Sequence, residues 1–184
     1  MKKTILKYGA YGALTICVLS IASWYGLSTL SLPVQEILGY VTIILSLCFV
    51  YFGIRHFRDK ENGGVVSFKQ ALTMGILISL ITALIFGLLD VFYTEVLNPG
   101  FMDYYYAEIT ENLKGTLPPD ELRIQLAELE EQKAQFSNPF LSFAFMASTV
   151  FVIGFIVSLL SSLVLQRKSK DHSNRSTHSR WLHS

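Results

Sequence analysis

The chain has 184 residues, of which 51% are hydrophobic and only 16% charged, against about 25% charged in a typical soluble domain. A net charge of +1 does not supply the clustered basic face that neutralising phosphates needs, so nucleic acid is not an expected partner. The composition is that of a membrane protein, and the run lengths of apolar residues set the number of crossings.

A spanning helix needs about 20 apolar residues at 1.5 Å each. The first candidate, residues 8–30, is uncharged and follows Lys2, Lys3 and Lys7. That arrangement also describes a signal peptide, and "SIAS" (Ser20–Ser23) resembles a small-residue cleavage site. However, the apolar run is long for a signal core and continues through Trp24 and Tyr25, so an uncleaved helix is expected. The second candidate, residues 34–54, has only Glu36, at its edge. Cys17 and Cys48 fall inside these two spans and read as small apolar interface residues.

A charged, glycine-punctuated stretch, residues 55–70, follows: "RHFRDKENGGVVSFKQ". Gly63 and Gly64 lack the G-x-x-x-x-G-K-[ST] pattern and a preceding strand, so no phosphate loop is indicated. "ENGG" reads as a tight turn, and Ser67 with Gln70 three residues later reads as a capping box opening the third span. Hinge and cap are the expected roles. A binding loop built from Arg55, Arg58, Asp59, Asn62, Gly63, Gly64, Ser67, Lys69 and Gln70 is the alternative.

The third span, residues 71–93, places Gly75, Ser79, Ala83 and Gly87 every four residues. Apolar burial does not drive helices together in lipid, so a track of small side chains promotes packing by letting backbones approach. Gly154, Ser158 and Ser162 repeat the pattern in the fourth span, and Gly9, Ala13 and Cys17 begin one in the first. Such tracks join helices within one chain or between copies, with packing inside the chain the default. Asp90 is the only acid within a span rather than at its very edge. An intramembrane acid is a functional candidate, although one turn from Tyr93 it also stands within reach of headgroup water.

Between the third and fourth spans, residues 94–139 form an arm outside the membrane. "NPG" (Asn98–Gly100) breaks the helix. Phe101, Tyr105, Ile109 and Leu113 predict a helix that stops near Gly115. Leu122, Leu126, Leu129 and Phe136 predict a second, over about 119–136, opened by Pro118-Pro119-Asp120-Glu121. The arm is therefore expected to be an antiparallel helical hairpin or a pair of interfacial helices. It carries Glu95, Asp103, Glu108, Glu111, Asp120, Glu121, Glu128, Glu130 and Glu131, which read as a solvated face because neither calcium-loop spacing nor a nearby histidine accompanies them. "SNPF" (Ser137–Phe140) caps the fourth span, residues 140–165. The remaining tail, 169–184, is polar, rich in Ser and His, and expected to be disordered.

Basic residues near span ends are retained in the cytoplasm. They gather before the first span, in 55–70 (Arg55, Arg58, Lys60, Lys69) and after the fourth (Arg167, Lys168, Lys170). Four crossings place both termini on one side, which the charges independently make the cytoplasm. The fold class expected is thus an all-α, four-helix integral membrane bundle comprising residues 1–168, with an extracytoplasmic arm and a cytoplasmic tail.

"YFGIRHFRDKENGG…SFKQAL…G" (Tyr51–Gly75), the acidic arm and "NPF" (Asn138–Phe140) together resemble domain-of-unknown-function family 4199, small membrane proteins found mainly in Bacteroidetes. The likeness extends from about Lys3 to Lys168, and the tail beyond departs from the family's short basic ending. The resemblance implies four transmembrane helices in a bacterial inner membrane and carries over no activity and no catalytic residue. Taken together, the residues point to a non-enzymatic structural or accessory protein without cofactor or metal. Its expected partners are the lipid bilayer and either another protein or a second copy. A transporter or channel subunit using Asp90, with Glu36 and Glu95, is the rival, and an enzyme acting on lipid ranks third.

Overall fold

The computed structural model describes residues 1–26 and 30–167, so the tail expected over 169–184 lies outside the described residues. Six α-helices make up the described chain: α1 (Lys2–Gly26), α2 (Leu32–His56), α3 (Phe68–Phe92), α4 (Phe101–Thr116), α5 (Pro119–Phe136) and α6 (Pro139–Leu165). Wider, π-type turns extend α2 over Phe57–Glu61 and α3 over Tyr93–Leu97. With those extensions, α1, α2, α3 and α6 are each long and apolar enough to cross a membrane. The chain is an all-α membrane protein.

Two boundaries differ from the sequence reading. The segment read as loop from residue 55 remains helical to Glu61, since its Arg, Lys and Glu residues disfavour a helix little. Gly115 does not stop α4, which runs on to Thr116. The break comes with the extended Leu117 that precedes the Pro118-Pro119 pair, because a residue before proline is pushed out of the helical region.

α3 is the central helix. It lies against α6 along the most extensive interface in the molecule and also touches α1 and α2. Ile16, Leu47, Val50, Ile54, Met74, Ile78 and Val150 form the fully buried centre. Hydroxyls share that interior. Ser46 donates to the Thr42 carbonyl at 2.8 Å, Thr82 to Ile78 at 3.2 Å and Ser162 to Ser158 at 2.6 Å. Each thus satisfies itself on its own helix, the usual solution where no water is at hand. Leu14, Leu88, Val152, Leu160 and Val164 point outward and are exposed. Lipid favours this arrangement: small and hydroxylated residues share the interior with the central aliphatic ones, and the perimeter is aliphatic.

Candidate functional site

Three places gather chemistry: the bundle end holding the 57–67 segment (the loop end), the α3–α6 seam, and the opposite end bearing α4 and α5 (the arm end).

At the loop end, Gly63 and Gly64 adopt φ of +62° and +82°, a region that suits glycine. The turn they make is fixed by the Gly64 amide on the Arg58 carbonyl (2.8 Å) and by Asn62 Nδ2 on the Val65 carbonyl (2.7 Å). Ser67 Oγ accepts from the Gln70 amide and Gln70 Oε1 from the Ser67 amide, both at 3.3 Å, a reciprocal cap on α3. Lys69 is exposed on the first turn of α3. Arg58 clamps Asp59 through Nε at 2.6 Å and Nη2 at 3.1 Å, and its Nη1 reaches the Leu165 carbonyl at 3.3 Å. Arg55 stands 3.7 Å from the same carboxylate. The backbones of Val66 and Arg167 exchange two hydrogen bonds, at 3.1 and 2.9 Å, and Thr4 Oγ1 donates to Glu61 at 2.6 Å. The segment therefore ties the ends of α1, α2 and α6 together.

In the seam, Gly75 and Ser79 of α3 oppose Ser158 and Gly154 of α6. Ser79 Oγ donates to the Gly154 carbonyl and lies 3.2 Å from Ser158 Oγ. A Cβ at Gly75 would fall 2.7 Å from Ser158 Cβ, and one at Gly87 2.9 Å from the Phe143 ring. Ala83 and Ser162 are buried as well. The structure thus brings the two tracks together inside one chain. In the α1 track, Gly9 lies against Ile81, while Gly12, outside the track, faces Thr82 and Ser46.

Asp90 sits toward the arm end of α3, half-buried, where Ser142 Oγ of α6 donates to its carboxylate at 3.1 Å. No cation pairs with it among the described residues. Nor do three His, Cys, Asp or Glu side chains converge anywhere in that set to hold a metal ion.

The family model for the protein of unknown function DUF4199 matches residues 7–167. The chain belongs to domain-of-unknown-function family 4199. No curated protein and no solved structure matches it. The family 4199 match takes in α2 to α6 and all but the first turn of α1 and carries no assigned activity, so any role for these residues rests on their own geometry.

One feature of this family 4199 chain escaped sequence reasoning. Trp24 stacks on Tyr93 (centroids 3.9 Å apart, planes at 18°), Tyr93 meets Phe101 at 5.3 Å, and Phe101 meets Tyr105 at 6.0 Å. This aromatic ladder runs from α1 across the end of α3 and onto α4. Burial, then the Glu36 carboxylate, then Tyr40 raise the Tyr105 phenol above its usual range. The only available signal was Trp24 near the end of one span and Tyr93 near the end of another, the positions of an interfacial belt.

Proposed function

We propose that this is a non-enzymatic accessory protein of the bacterial inner membrane, with its loop end in the cytoplasm, whose outer arm contacts another protein or a second copy. The orientation is supported by Lys2, Lys3, Lys7, Arg55, Arg58, Lys60, Lys69 and Arg167, which all lie at the loop end, since cations beside spans stay in the cytoplasm. The observation that carries the role is α5, an 18-residue helix that buries no residue. Glu121, Glu128, Glu130 and Glu131 stand exposed along it, and Ile124 is 57% exposed. Within the arm, lysines hold only Asp103 (Lys133, 2.7 Å) and Glu111 (Lys114, 2.9 Å). The α3 and α6 tracks are occupied by each other, which leaves the arm as the surface for association. A photo-crosslinker at position 124 should give a discrete adduct larger than the monomer in native membranes, absent when the crosslinker replaces lipid-facing Leu88. Recovery of monomer alone would reject the reading.

A second reading, a transporter or channel subunit, draws on the Asp90–Ser142 contact, an acid held at the seam of two spanning helices. The accessory reading predicts no ion flux in proteoliposomes above that of protein-free vesicles. Flux that Asp90→Asn abolishes would favour the second reading instead.

A further inference from the structure

A recess of about 420 Å³ opens at the loop end, lined by Tyr8, Phe52, Arg55, His56, Asp59 and Lys60. Its charges are unevenly committed. Asp59 is taken by the two-point clamp of Arg58, so Arg55, at 3.7 Å and with 57% of its side chain exposed, is bound only loosely. Glu61, the other acid nearby, receives the Thr4 hydroxyl and the Met1 amino group and stands 3.8 Å from His56 Nε2. Lys60 makes no ion pair among the described residues. Lys7 adds a third cation at the rim, its Nζ resting 5.8 Å over the Tyr8 ring and 5.9 Å over Tyr11. Local positive charge is thus left over after every internal pairing is made.

The recess is apolar on its membrane side. Tyr8 packs on Tyr11 at 5.8 Å, Tyr11 on Phe49 at 5.8 Å and Phe49 on Phe52 at 6.3 Å. This strip lies across α1 and α2, with Tyr11 43% and Phe52 48% exposed. It begins where the apolar spans give way to charge, the depth at which lipid phosphates lie. A free inorganic anion would use the cations and leave the strip idle. A molecule with an anionic head and an apolar body uses both.

We propose that this recess binds an anionic glycerophospholipid. The phosphodiester sits among Arg55, Lys60 and Lys7, with an acyl chain along Tyr11, Phe49 and Phe52. Guanidinium matches phosphate oxygens in pairs, and basic pockets between spanning helices suit such head groups.

The test is native mass spectrometry of the full chain in mild detergent, titrated separately with phosphatidylglycerol and phosphatidylcholine. Wild type should retain phosphatidylglycerol preferentially. The double variant Arg55→Gln/Lys60→Gln should weaken it about thirtyfold, as loss of two near-surface cations implies. Lys69→Gln, which removes an exposed cation outside the recess, should bind as wild type. Equal retention of the two lipids by wild type, undiminished binding by the double variant, or an equal loss in Lys69→Gln would each overturn the site. Displacement of the lipid by millimolar inorganic phosphate would overturn the assignment to lipid. Should the double variant lose its thermal transition in detergent, Lys60→Gln alone decides, with about a fivefold loss expected and undiminished binding counting against the site.

Discussion

Replacing Gly154 by leucine is expected to force α3 and α6 apart and to lower the thermal midpoint of the detergent-solubilised protein by about 5–10 °C. In water, two apolar helices associate because burial removes surface from solvent. In lipid that gain vanishes, and close packing and interhelical hydrogen bonds must supply the attraction. Both are concentrated at one crossing. A Cβ on Gly154 would lie 2.5 Å from Ser79 Cβ and 2.7 Å from its Oγ, distances that side chains cannot share. Separation would also break the Ser79 bond to the Gly154 carbonyl and leave a fully buried hydroxyl without its partners. Ala83→Leu, at a position 1% exposed on the same track, should act in the same direction. Gly39→Leu provides the contrast. A Cβ there meets nothing within 4 Å, so the larger residue should leave the midpoint unchanged. Melting by size-exclusion chromatography separates these outcomes, and equal midpoints for Gly154→Leu and Gly39→Leu would contradict the seam.

The crossing helices were legible because a bilayer imposes a one-dimensional demand, a run of apolar residues long enough to span, which composition along the chain reports directly. The tracks were legible as spacing. Their partners were not, because Gly75, Ser79, Gly154 and Ser158 all offer the same small surface, and which of them meet depends on how four helices rotate about their axes. The α1 stripe shows this limit. Gly9 and Ala13 are buried as the spacing suggests, but Cys17 is only half-buried, while Gly12, Ile16 and Ser20 complete the inward face. The loop end was legible at Ser67 and Gln70, whose cap closes over three residues. It was opaque at Thr4–Glu61, Arg58–Leu165 and Val66–Arg167, contacts between residues far apart in the chain with no local signal. Asp90 stood out as an intramembrane acid, whereas its partner Ser142 looked like any other serine in an apolar helix.

Truncating Tyr93 to alanine is expected to release the arm while leaving the bundle folded. The arm has few anchors. α5 buries no residue and α4 only Tyr106, so its attachment depends on Tyr106, on the ladder and on Phe136, which meets Phe145 of α6 edge-on at 4.9 Å. Tyr93 is the middle rung: it stacks on Trp24, meets Phe101, and its Oη accepts from Asn98 Nδ2 at 3.1 Å. An aromatic pair is worth about 0.5–1.5 kcal/mol beyond its area and a hydrogen bond about 1 kcal/mol. Loss of two pairs and one bond therefore comes to roughly 2–4 kcal/mol. If the arm opens and closes faster than it is cut, cleavage follows the open population. Tryptic cutting after Lys114 and Arg123 should then accelerate about 30- to 700-fold, at ten-fold per 1.4 kcal/mol. The detergent melting midpoint should move little, because the α3–α6 seam lies outside the unit that opens. Tyr93→Phe keeps both ring contacts and loses only the Asn98 bond, so its acceleration should stay below about tenfold. If Tyr93→Ala were cut no faster than wild type, the ladder would be a neighbourly contact rather than the arm's attachment.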